Sequence, residues 1–148
     1  MRYFEDFPLD AEVESAPRTV TRQDVEQFAE LTGDHSPQHL DADYASATAF
    51  GKPVAHGALI LSVASGLSSQ IEPSNPALIA LFALDEVRFL RPVYPGDSVR
   101  VRKRVVQSEA KDPRRGLVRF ESTVENQHGQ SVLSYRDSVL FKRREETL

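Results

Sequence analysis

The sequence predicts an α+β fold in which one long buried helix is held against a curved antiparallel sheet. Helical periodicity is confined to the first half of the chain, and alternating apolar runs separated by short turns fill the second. One helix, Gly57 to about Gln70, is also apolar on nearly every side, with Leu59, Ile60, Leu61, Val63, Ala64 and Leu67 surrounding it. The 148 residues suffice for a sizeable core and read as one domain, 1–148.

The elements follow in order. An N-terminal arm carries Phe4 and Phe7, and residues 11–20 read as a short strand interrupted by Pro17. Thr21 has the character of a helix N-cap, with Asp24 at the third helical position completing a capping box. Val25, Phe28, Ala29 and Thr32 then mark one helical face, and Gly33 is placed to end it. Asp41 caps a second short helix with Tyr44 and Ala45, expected to end near Phe50-Gly51 and Pro53.

On the long helix, Ala58, Ser62, Ala64, Ser65 and Gly66 are small enough for a sheet to wrap closely around it. The Ser62 hydroxyl is expected to bond back to a helix carbonyl. Strands are predicted over 78–91, 98–109, 117–126 and 131–142, with turns at Pro92–Asp97, Pro113–Gly116 and His128-Gly129.

Composition excludes several classes of function. The net charge of −4 and pI near 5.6 argue against general nucleic-acid affinity. The local stripe of Arg100, Arg102 and Arg104 alternates with valines, as the wet face of a strand does. With no cysteine there is no disulfide framework and no thiolate nucleophile. His35, His39, His56 and His128 lack zinc-site spacing, so no metal is expected. The acidic start is unlike a signal peptide and no apolar run is long enough to cross a bilayer, so a cytoplasmic protein without membrane association is expected.

The stretch from Leu31 to Leu67 holds the chemistry. Asp34 and His39 stand five residues apart around Pro37, in a segment read as an irregular loop. His56-Gly57 then opens the buried helix, whose first N–H groups carry partial positive charge. An acid, a base and an anion-stabilising helix end suit addition of water across a double bond conjugated to a carbonyl, or its reversal. Taken alone, Asp34 also fits an Asx turn and His39 a packed loop histidine.

The motif FAELTGDHSPQHLDADYASATAFGKPVAHG resembles the signature of the MaoC-like, (R)-specific enoyl-CoA hydratases, also called hydratase 2. Phe89, Pro92, Val93 and Gly96-Asp97 match that family's F-x-x-PV-x-x-GD element. The resemblance implies a hot-dog fold, a long central helix wrapped by an antiparallel sheet. It further implies a homodimer, with higher assembly open, whose active sites lie near the subunit interface.

By the same resemblance Asp34 and His39 form the catalytic dyad, Gly57 supplies the oxyanion-hole N–H, and Ser65 supports the dyad. His56 is expected to orient the helix start. Ser36 stands where many relatives have Asn, and His35 occupies a variable position that fits the site's entrance. Tyr44, Phe50 and Phe82 are candidates for the acyl pocket. Arg88 and Arg91, with Lys103 and Arg104, are cations available to a coenzyme A or acyl-carrier substrate.

The implied reaction turns trans-2-enoyl-CoA into (R)-3-hydroxyacyl-CoA and needs no cofactor. Alternatives are a 3-hydroxyacyl-acyl-carrier-protein dehydratase, a hydratase for branched or dicarboxylic enoyl-CoA, a thioesterase, or a non-catalytic acyl-thioester-binding subunit.

Overall fold

A computed structural model describes residues 1–144. After a 3-10 turn at Phe4–Asp6, the elements run β1 (Glu12–Glu14), β2 (Arg18–Thr19), α1 (Arg22–Thr32), α2 (Pro37–Leu40), α3 (Ala42–Ser46) and α4 (Gly57–Ile71). Four long strands follow: β3 (Leu78–Phe89), β4 (Ser98–Ala110), β5 (Arg115–Asn126) and β6 (Ser131–Lys142). The sheet is antiparallel in the order β1-β4-β5-β6-β3, with β2 also paired to β4. This is the hot-dog arrangement, the long helix α4 held against a single antiparallel sheet. No helix among the described residues is long and apolar enough to cross a membrane.

Local chemistry accounts for most boundaries. The Thr21 hydroxyl accepts from the Asp24 N–H at 3.1 Å while Asp24 accepts from the Thr21 N–H at 2.9 Å, closing the predicted capping box. Gly33, at φ +79°, ends α1 in the left-handed conformation, its N–H reaching Ala29 at 2.8 Å. Pro17 splits the first predicted strand into β1 and β2, and between them the Ser15 hydroxyl accepts the Val101 N–H that a strand would have bonded.

Three expectations need correction. His39 sits on the one-turn helix α2, started by Pro37 at its first position, and so is not on an irregular loop. The second short helix stops at Ser46, well before Phe50, because Thr48 turns its hydroxyl back onto the Ala45 carbonyl at 2.7 Å. Gly116 lies within β5 opposite Ala110 and is not part of a turn; a side chain there would collide with the Phe4 ring. The turn is made by Asp112, whose carboxylate accepts from the Arg114 and Arg115 N–H groups.

Leu59, Ile60, Val63, Ala64 and Leu67 of α4 pack on Val99, Val101, Val124, Val132 and Leu133 of the sheet. Each such fully buried aliphatic chain contributes about 1.5–3 kcal/mol of transfer free energy. A second cluster, Phe7, Val105, Val118, Phe120, Val139 and Phe141, seals the far end of the sheet under the N-terminal arm. Of the four long strands, β3 alone is largely exposed.

Candidate active site

At the N-terminus of α4 three elements converge. Asp34 lies on the loop after α1, His39 on α2, and His56 is the residue before Gly57. Both histidines are buried, with side chains 8% and 3% exposed, whereas Asp34 is half-exposed at 47%. The imidazoles stack at 3.8 Å between centroids, and Phe28 of α1 packs on His56 from another side.

The hydrogen bonds assign the tautomers. His39 Nδ1 lies 2.6 Å from the Val54 carbonyl, an acceptor only, so Nδ1 carries the proton and neutral His39 keeps a lone pair on Nε2. That Nε2 stands 4.0 Å from Asp34 Oδ2. His56 Nε2 donates to the Asp34 main-chain carbonyl at 3.0 Å and leaves Nδ1 buried without a partner. His56 therefore ties the Asp34 loop to the residue preceding Gly57. Its side chain makes no cap bond to the helix itself.

Asp34 is ionised by design of its turn. The Ser36 hydroxyl donates to Oδ1 at 2.6 Å and the Ser36 N–H to the same oxygen at 3.1 Å. Those bonds, the hydroxyl's first, hold the carboxyl below the usual carboxylate range despite some desolvation. Oδ1 is thus engaged, and Oδ2 faces the histidines. Asp34 forms an Asx turn and also presents a free oxygen to His39.

His35 turns away to Glu30 at 2.9 Å, and that bond, chiefly, raises its pKa. Asp34, His39 and His56 each offer a donor atom within 4.8 Å of the others.

Gly57 opens α4 in contact with β3. A Cβ on Gly57 would fall 2.8 Å from the Phe89 ring, so a larger residue there obliges that ring to move. The first N–H groups of α4 have no partners within the helix.

The other predicted site residues are dispersed. Ser65 lies eight residues, about 12 Å, beyond Gly57 along α4, where it lines a cavity with Lys103 and Asp137. Tyr44 and Phe50 are exposed rather than packed in the core, and Phe82, 65% exposed, is on the outer strand β3. Arg91 donates to the Ser131 carbonyl at 2.7 Å, and Arg88 lies exposed near the end of β3. Ser62 bonds back to the Ala58 carbonyl at 2.8 Å as expected.

Lys103 was expected among the exposed cations, yet it is buried against Asp137. Strict alternation with Val99 and Val101 was the signal that it points inward. The three arginines of the stripe do face water, paired with Glu14, Glu125, Asp10 and Glu121.

A family model described as MaoC like domain matches residues 6–127. Protein MaoC of Klebsiella aerogenes is 36% identical over 101 residues, 68% of this chain and 30% of that protein. An (R)-specific enoyl-CoA hydratase of Aeromonas caviae is 38% identical over 76 residues, 51% of this chain and 54% of that one. The chain thus spans about a third to a half of these relatives. Among solved structures, an Archaeoglobus protein described as a monoamine oxidase regulatory protein superposes with a TM-score of 0.92 at 40% identity, covering 97% of this chain and 95% of its own.

Proposed function

Because this chain belongs to the MaoC-like domain family, we propose that it is an (R)-specific hydratase/dehydratase acting on trans-2-enoyl-CoA thioesters. The observation that carries this reading is the 4.0 Å gap between His39 Nε2, with its lone pair, and Asp34 Oδ2, beside the start of α4. A water between them donates one hydrogen to each.

His39, with the lone pair on Nε2, serves as the base, while Asp34, its other oxygen engaged by Ser36, accepts the water's second hydrogen. His39 takes a proton as the water oxygen adds to the substrate β-carbon, and the resulting imidazolium delivers that proton to the α-carbon. Asp34 orients the water and stabilises the imidazolium. The negative charge that gathers on the thioester oxygen is met by the Gly57 N–H and the positive end of α4. Dehydration runs the same steps backward, with no cofactor in the proton balance.

The active unit in this reading is a homodimer built along β3. That strand is a twelve-residue sheet edge exposing Leu81, Phe82, Leu84 and Phe89. A long apolar edge left bare invites pairing with another strand. Sedimentation should find a dimer, and Leu81→Lys with Phe82→Lys should yield monomer; a wild-type monomer would contradict this assembly.

The direct test follows loss of enoyl-thioester absorbance with crotonyl-CoA and then the configuration of the product. Formation of (R)-3-hydroxybutyryl-CoA, abolished in Asp34→Asn, supports the hydratase reading. Turnover only with the acyl-carrier-protein thioester makes the protein a dehydratase of that carrier. Binding without turnover on any enoyl thioester makes it a non-catalytic subunit.

A further inference from the structure

A cavity of about 410 Å³ lies between the second half of α4 and the sheet. Leu61, Ser65 and Ser68 line it from the helix, and Leu81 and Leu84 line it from β3. Gly57, Leu61, Ser65 and Ser68 recur at helical spacing and so share one face of α4. Gly57 meets β3 at Phe89, the end of the strand from which Leu84 and Leu81 run back toward the cavity. One helix face and one strand therefore lead from the Gly57 amide into the cavity, about 16 Å along the axis to Ser68.

The walls are apolar but the floor is not. Lys103 and Asp137, with side chains 8% and 5% exposed, form an ion pair there, and the Ser122 hydroxyl donates to the other Asp137 oxygen at 2.6 Å. Lys103 Nζ also lies 4.4 Å from the centre of the Phe120 ring. An ammonium has three N–H groups, so one bond and one ring face leave donor capacity over. Nearby, Ser68 Oγ is buried beside the Tyr135 phenol, with no other polar partner. Tyr135 is close by; burial first, then Asp137, push its phenol up to about 12, and the Ser68 and Ser122 hydroxyls offset this only in part.

A plain alkyl chain filling this space would leave these donors unsatisfied, which is unfavourable in a dry site. A carboxylate would crowd Asp137, and an ammonium would face Lys103. An uncharged oxygen fits both constraints.

On the premise that the protein is an acyl-thioester hydratase, we propose that this cavity receives the distal acyl chain and that preferred substrates carry an uncharged hydroxyl or keto oxygen there, received by Lys103 and Ser68. The test compares trans-2-decenoyl- and trans-2-dodecenoyl-CoA, each with and without a terminal hydroxyl. For at least one length, the hydroxylated chain should have a KM about tenfold below the plain chain, the size of one net hydrogen bond.

That ratio should fall to about one in Ser68→Ala and in the double variant Lys103→Met with Asp137→Leu, which leaves no charge unpaired; urea unfolding verifies that both variants are folded. An equal or lower KM for the plain chain at both lengths in wild type, or a ratio untouched by both changes, overturns the proposal. Crotonyl-CoA does not extend to Ser68, so its turnover tests the hydratase reading separately. Should it show none, calorimetric binding of the same four thioesters replaces KM with Kd, and the same ratios decide.

Discussion

Two polar clusters flank α4, and they are built to opposite rules. Lys103, Asp137 and Ser122 are bonded to one another in close contact, on three adjacent strands held in register. Asp34 and His39 approach no nearer than 4.0 Å, on a loop and a one-turn helix, although each is firmly bonded elsewhere. In the first cluster the two charges neutralise each other and only N–H groups of Lys103 are left over; in the second, neighbours fix each group and its reactive atom is left free. The contrast separates a framework ion pair from a site that has room for a water molecule.

Removing one charge should separate the clusters most sharply. Lys103→Ala leaves Asp137 buried and unpaired, with an expected cost of about 3–5 kcal/mol in unfolding free energy. Lys103→Met with Asp137→Leu should recover most of it. Urea unfolding measures both, and a single variant as stable as wild type would mean that water already solvates the pair.

The dyad should respond the other way. His39→Ala and Asp34→Asn should each lower kcat by about a hundredfold or more, with the urea midpoint of Asp34→Asn close to wild type because the side chain is half-exposed. Turnover retained in either variant would remove that residue from the chemistry. Next in size is Gly57→Ala, which keeps the N–H but drives a methyl group against Phe89. A loss of about tenfold to a hundredfold in kcat/KM is expected from misplacement of the oxyanion site. Adding Phe89→Ala should restore part of it, and no recovery would place the damage in the helix start itself.

The same contrast marks what the sequence could disclose. Elements set by local chemistry were legible: the Thr21–Asp24 box, the Gly33 stop, the α4 boundaries and the last strand. The clustering of Asp34, His39 and Gly57 was legible through spacing and motif, since they fall in one short stretch. What decides their geometry was not legible, because the Val54 carbonyl on His39 and the Asp34 carbonyl on His56 are backbone groups and leave no trace in residue type. Ser65 was assigned to the dyad by resemblance, whereas helix geometry places it along the cavity. The ion pair spans strands distant in sequence, so alternation could turn Lys103 and Asp137 inward without pairing them. The exposure of β3 was not legible for a similar reason: apolar composition reports a need for burial, but not whether this chain or another copy supplies it.

The smallest expected effect tests whether Asp34 is held ionised by Ser36. Its pKa lies below the usual carboxylate range in the folded chain, so the stabilisation from this turn is present above the unfolded value and is lost as pH falls through the folded one. Ser36→Ala removes the hydroxyl bond, the largest cause, and keeps the N–H bond. The Asp34 carboxyl should then titrate at higher pH, partway back to its ordinary value, as followed by its side-chain carbon resonance in an acid titration. If the carboxyl does not move, the turn is held by its backbone alone and the Ser36 hydroxyl contributes only shape.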